Sequence, residues 1–144
     1  AARGRTLARG VCCPARIMFQ RDYLLRMIEQ AAQAIARALR MFREQKQEEA
    51  EQELASGYAA LGLDPELLGM LDANTLRAQW GDEAMLAMAS RLLLCDAELR
   101  LGRGDRPVAQ RRFKAARKLN GLLSAPNAEL DAELERVSAL VSPR

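Results

Sequence analysis

"MFQRDYLLRMIEQAAQAIARALRMF", Met18 to Phe42, decides how this chain folds. Its apolar positions Leu24, Ile28, Ala31, Ile35, Ala38 and Phe42 advance by four, three, four, three and four residues. At 3.6 residues per turn, that spacing lines one face of an α-helix. Tyr23, Met27 and Leu39 widen the stripe, and the pattern predicts a helix over about 19–44. "REQKQEE", Arg43 to Glu49, interrupts it. Ala50, Leu54, Gly57 or Tyr58, and Leu61 then resume the period and predict a second helix over about 46–62. Gly62 suits the end of that helix, because glycine accepts the left-handed backbone of a C-terminal cap. Glu48, Glu49, Glu51 and Glu53 fall in its first half, where carboxylates favour the positive end of the helix dipole.

Downstream the texture changes. In "LDPELLGMLDANTLRAQWGDE", Leu63 to Glu83, Asp64 is expected to cap a short helix with Pro65 in its first turn. Leu67, Leu68 and Leu71 give that helix an apolar side. Asn74 is expected to cap another short turn, and Asp82 the long helix predicted over about 83–101. Met85, Leu86, Met88, Ala89, Leu92, Leu93, Cys95, Ala97 and Leu99 cover much of this helix's circumference, so it should lie at the centre of the fold. "GRGD" ends it, and Pro107 opens a helix over about 106–123 with Ala109, Phe113, Ala116, Asn120 and Leu123 facing inward. After Pro126 and Asn127, a last helix over about 128–141 presents Leu130, Leu134, Val137 and Leu140. The fold class expected is all-α: antiparallel helical hairpins, a short-helix insertion and a C-terminal helix.

Composition agrees. The 144 residues suit one domain, and a domain of that size buries roughly 70% of its extended surface, enough for a core without metal or disulfide staples. Apolar residues make up 49% and charged residues 28%, a balance that excludes a disordered chain. There is no histidine, which removes the commonest general base, metal ligand and neutral-pH switch. Cys12 and Cys13 are adjacent and Cys95 stands alone, a pattern of neither a disulfide framework nor a zinc knuckle, so a reducing compartment is expected. Apolar runs fall short of the roughly 18–20 residues that span a bilayer. A cytoplasmic location without membrane contact is the expectation.

Residues 1–17, "AARGRTLARGVCCPARI", stand apart. They hold Arg3, Arg5, Arg9 and Arg16, no acid, and no apolar stripe. The pattern starts at Met18, which is therefore expected to be the natural start, with 1–17 a non-native or disordered leader and 18–142 one helical domain. The whole chain has 22 basic and 19 acidic residues, net +3; without those four arginines 18 basic residues remain and the net is −1. Basic character thus belongs to the leader. The competing reading is an arm that grips phosphates through counterion release.

The predicted hairpin 83–101 with 106–123 resembles a tetratricopeptide repeat, a helix hairpin of about 34 residues with small residues where its helices cross. In "GDRPVAQRRFKAA", Gly104 takes the turn, Ala109 and Ala116 the small positions and Phe113 the aromatic one. Ala97 fits the preceding helix, whereas Leu93 stands where the repeat has tryptophan and the closing proline is absent. Ala38, Ala50, Leu54 and Gly57 fit the pattern more weakly in the first pair. Ala50 and Ala109 lie 59 positions apart, more than one repeat length, so 63–82 reads as an insertion. Moreover, "MFQRDYLLRMIEQ" with the "LGLD" at Leu61–Asp64 resembles an uncharacterised bacterial family of small tetratricopeptide-like helical proteins. The resemblance covers roughly 18–123. It implies the fold, a bacterial cytosolic setting and a start at Met18, and carries no catalytic residue.

Two residue groups are candidate sites. At the N-terminal end, Arg21, Asp22, Arg26 and Glu29 form a polar cluster. Asp22 with Arg26 and Arg26 with Glu29 have helix-neighbour spacing, so surface ion pairs account for them, and a polar cluster at one end of a groove is the functional alternative. A basic face on 100–118 comprises Arg100, Arg103, Arg106, Arg111, Lys114, Arg117 and Lys118. It would dock an acidic protein segment or RNA, or the chain's own "AELDAELE" at 128–135. Glu48, Glu51, Glu53, Glu129, Asp131 and Glu133 read as solvated helix faces, and Cys95 as a small core residue with no partner base. The chain is therefore expected to be a non-enzymatic interaction or adaptor module without cofactor or metal. Its partner would be a protein or peptide, or a second copy. Nucleic-acid binding through the basic face is the alternative.

Overall fold

The computed structural model describes the backbone of residues 2–142 and the side chains of residues 21–142. Among the described residues seven helices follow in order: α1 (Ala2–Arg43), α2 (Gln47–Leu61), α3 (Pro65–Met70), α4 (Ala73–Gln79), α5 (Glu83–Gly102), α6 (Arg106–Asn120) and α7 (Ala128–Val141). No strand occurs among the described residues, so the all-α expectation holds. α1 ends where its stripe ends but begins upstream of position 19. Cys12, Cys13 and the four leader arginines have side chains outside the described residues.

α1 and α2 form one antiparallel hairpin, α5 and α6 another. α5 also touches α1, α2 and α7, which makes it the central helix, as its nearly all-round apolar sequence requires. Leu92 and Leu93 are wholly buried there, each worth about 1.5–3 kcal/mol of transfer from water. On α1, Ala31, Ala34 and Ala38 are buried, while Ile35, Leu39 and Phe42 pack at the edge of the core. Tyr23 departs from expectation: it lies off the stripe and is 63% exposed.

Short residues let these helices approach. A Cβ placed on Gly57 would sit 3.0 Å from Leu92 Cδ1 and 3.1 Å from Ala34 Cβ, so glycine is what lets α2 meet α1 and α5 together. A Cβ on Gly102 would come within 2.5 Å of Phe42 Cε1. The Phe42 ring therefore lies across the C-terminal end of α5, tying one hairpin's tip to the other's.

The starts of α3 to α7 share one device, which α2 lacks. Asp64, Asp72, Asp82, Asp105 and Asn127 each accept a backbone N–H two or three residues on, from Glu66, Thr75, Met85, Val108 and Leu130. These caps satisfy amides that have no partner inside their helices, each worth about 1 kcal/mol. The cap of α4 is thus Asp72 and not Asn74, which falls inside the helix; the Asp72 carboxylate sits 2.8 Å from the Thr75 amide. That hydrogen bond is the leading cause holding Asp72 below the usual carboxylate range. Gly62 caps α2 at φ +67° and Gly104 turns between α5 and α6 at φ +82°, both in the region that favours glycine. α6 stops at Asn120, three residues short of the predicted end, and Leu122 folds back into the core.

Candidate functional site

α5 carries one carboxylate into the core. Asp96 is 2% exposed, set in the apolar run "LLLCDAEL" from Leu92 to Leu99. A charge so placed requires partners, because an unpaired buried carboxylate is strongly disfavoured. The fold supplies three. Tyr58 of α2 donates its hydroxyl to Asp96 Oδ2 at 2.7 Å, and Arg112 of α6, 6% exposed, donates Nε to the same oxygen at 2.9 Å. Arg100, one turn along α5, donates Nε to Oδ1 at 3.1 Å. Burial first, then the Asp96 charge and hydrogen bond, push the Tyr58 hydroxyl well above its ordinary value. Burial alone would lower Arg112; Asp96 overrides it, and the net shift is upward.

The network continues outward. Arg112 Nη1 donates to Glu66 Oε1 of α3 at 3.1 Å, and Arg111 lies 3.5 Å from the same oxygen. Arg100 Nη1 sits 2.9 Å from Glu51 Oε1 of α2, and Arg103 pairs with that carboxylate too. Four helices are thereby joined through charge. A cleft of about 360 Å³ opens between α2, α3 and α5, with Leu54, Ala55, Leu63 and Pro65 on its walls and Tyr58 and Asp96 at its floor.

The basic face predicted on 100–118 therefore does not exist as one free strip. Arg100 and Arg103 are bound to Asp96 and Glu51, and Arg106 Nη1 donates to the Val141 carbonyl at 2.8 Å. Arg117 lies over the Phe113 ring at 6.0 Å, a cation–π arrangement. Lys118 donates to the carbonyls of Gly69 and Leu71, at 3.2 and 2.8 Å, closing the end of α3. Arg103, Arg106, Arg111, Lys114 and Arg117 are exposed, and among the described residues neither Lys114 nor Arg117 makes an ion pair. Nor does "AELDAELE" neutralise the strip. α7 packs on α5 and α6, but Glu129 pairs with Arg91 at 3.0 Å and Asp131 accepts from Asn120 at 3.0 Å. The strip's carboxylate partners are Glu51, Glu66 and Asp96.

The N-terminal cluster is exposed throughout: Arg21, Asp22, Arg26 and Glu29 all face solvent. Among the described residues no ion pair joins them, so the expected Asp22–Arg26 and Arg26–Glu29 pairs are not made. Long side chains on an exposed helix gain little from such pairing and lose rotamer freedom by it.

Beside the network, α3 and α6 enclose a groove of about 260 Å³. Pro65, Met70 and Ala115 supply its apolar lining, and Arg111, Lys114 and Lys118 its cations. Met70 is 81% exposed and Leu67, one turn earlier on α3, is 46% exposed. Sequence patterning did not isolate this place. Leu67 and Leu68 look alike in the chain, yet Leu68 is buried and Leu67 is not. Asp96 did leave a signal, an acid inside the most apolar helix, but two of its three partners, Arg112 and Tyr58, lie 16 and 38 positions away.

Cys95 is buried against α1 and α7, and its thiol is pushed up from 9.0 to about 12, by burial first and then by the carboxylates of Glu98, Asp96 and Glu133. The pH dependence follows. The unfolded thiol ionises above 9 while the folded one keeps its proton. Stability is therefore unaffected below 9 and falls by about 1.4 kcal/mol per pH unit from there toward 12. Urea unfolding of the wild type and of Cys95→Ala between pH 8 and 10 checks this: the variant's stability should be flatter across the window. Equal slopes would place Cys95 in a wetter environment than the structure gives it.

No group of histidine, cysteine, aspartate or glutamate among the described residues is arranged to hold a metal ion, and no described helix is long and apolar enough to cross a membrane. Comparisons with family models, with curated proteins and with solved structures return no match.

Proposed function

We propose that the chain is a protein-interaction module, an adaptor built on two tetratricopeptide-like hairpins, whose docking face is the α3–α6 side. One observation carries the reading: Met70 and Leu67 project from a short helix that the Asp96–Arg112–Glu66 network and Lys118 hold in place. Exposed apolar side chains beside a preformed groove, rimmed by cations, are the composition of a docking surface. The buried ionisable groups point the same way. Tyr58, Asp96 and Arg112 hydrogen-bond to one another, which suits positioning of helices rather than proton transfer to a substrate. Nucleic-acid binding has weaker support, since Arg100, Arg103 and Arg106 are occupied by protein partners.

The test is a capture experiment with the whole chain as bait and Met70→Glu as its control. A stoichiometric protein partner retained by the wild type and lost with Met70→Glu is expected, because a carboxylate at the docking centre would be buried against apolar surface. Retention of the same partner by both baits would move the interface elsewhere, and absence of any partner would count against the adaptor reading.

A further inference from the structure

We infer that the α3–α6 groove receives an acidic amphipathic helical segment of a partner protein, an inference that rests on the interaction reading above and names its partner's chemistry. Shape comes first. The groove, of about 260 Å³, lies between α3 and α6 with the exposed Met70 among its lining residues. It accommodates apolar side chains presented by a larger body. The apolar surface is Met70, Pro65 and Ala115, and methionine is unbranched and polarizable, so it adapts to the side chain that arrives.

Charge selects the sign of that body. Arg111, Lys114 and Lys118 line the groove against the single carboxylate of Glu66. Lys114 makes no ion pair among the described residues, and Arg111 shares Glu66 at 3.5 Å with both side chains about half exposed, a weak contact that an incoming carboxylate can replace. Arg112 is committed to Asp96 and Glu66, and Lys118 to two carbonyls. Both keep their positive charge at the groove while fixing its shape. A polyanion with bases would find no aromatic surface to stack on among the described residues, because none of the aromatic ones lines the groove and Phe113 is buried beneath Arg117. The fit is to carboxylates flanking an apolar stripe, the surface of an acidic helix.

Fluorescence anisotropy with the full 144-residue chain tests this. The probe is a labelled peptide of roughly four turns with leucine at i, i+3, i+4 and i+7, a few glutamates flanking that stripe and alanine or glutamine elsewhere to keep it helical. Its twin carries lysine for every glutamate, and a single-stranded oligonucleotide serves as a third probe. The acidic peptide should bind and weaken steeply with added salt, and the other two should not bind. Lys114→Glu should weaken the acidic probe roughly tenfold or more and Met70→Glu at least as much, while Arg117→Gln, outside the groove, should weaken it far less than Lys114→Gln does. All three positions are exposed or rim residues, and circular dichroism of each variant confirms that its helices are kept. Binding of the lysine twin as tightly as the acidic peptide overturns the inference. So does oligonucleotide binding that Lys114→Glu abolishes, or an affinity indifferent to Lys114 and Met70. Loss of a cellular partner in Met70→Glu together with no acidic-peptide binding would sink this inference and leave the interaction reading standing. Absence of both would sink the two together.

Discussion

Asp96→Ala is expected to destabilise the fold by about 3–5 kcal/mol, the range for removing one partner of a buried ion pair. The substitution takes away more than a carboxylate. Arg112 would keep its charge at 6% exposure with Glu66 as its remaining acidic partner, and that contact lies toward solvent. Tyr58 would retain a buried hydroxyl without its acceptor. Arg100 would lose the hydrogen bond along α5 and keep only Glu51. Urea unfolding at neutral pH measures the cost. A companion double substitution, Asp96→Ala with Arg112→Met, should recover part of it, because an apolar side chain of similar length removes the stranded charge while keeping the packing. A single-variant cost under about 1 kcal/mol, the scale of an exposed pair, would mean that solvent reaches the site. The conjunction of α2, α5 and α6 would then rest on apolar packing alone.

Leu92→Ala should cost about 2–5 kcal/mol, and the reason for expecting the upper part of that range is local. Leu92 is wholly buried on the central helix, and both of its terminal methyl carbons crowd Gly57, at 3.0 and 3.4 Å from where a Cβ would stand. Backbones fixed by the Ala34–Gly57–Leu92 meeting cannot collapse far into the space left behind, so the cavity persists. The same geometry predicts coupling. Gly57→Ala in the wild type sets a helix-propensity gain of about 1 kcal/mol against a methyl forced onto Leu92 and Ala34. In the Leu92→Ala background the crowding by Leu92 is gone, so Gly57→Ala should recover part of the lost stability. A double-mutant cycle by urea unfolding reads this directly. Strict additivity of the two changes would show that α2 and α5 are not in contact at this point.

Most element positions were legible in the sequence because local physics sets them, although α1 begins upstream of position 19 and α6 stops short of 123. The four-three spacing of α1, the glycine after α2, the proline near the start of α3 and of α6, and the acid before α5 each act within one or two turns. The central role of α5 was legible for the same reason, since a helix apolar on most sides must be surrounded. The choice of Asp72 over Asn74 as the cap of α4 was not, because both residues cap well and which one stands outside the helix depends on where α3 stops. The basic face shows the larger limit. Its residues do lie near one another at the end of α5 and along α6, but Arg100, Arg103 and Arg111 are paired with Glu51, Glu66 and Asp96, and Glu51 and Glu66 are brought near by tertiary packing rather than helical period. Net charge on a helix face is therefore a statement about sequence neighbours, and it changes when distant acids fold against it. The Leu67–Met70 ridge was hidden for a related reason. A short helix with apolar residues on two sides does not announce which side the core will take.

Phe42 lying across Gly102 has a mechanical consequence. An aromatic ring seated on a bare stretch of backbone acts as a stop against axial sliding, so neither hairpin can advance along the other without lifting the ring out of its seat. If the α3–α6 face is the docking surface proposed above, a partner would meet a shape that already exists, with little loss of ordering entropy on contact.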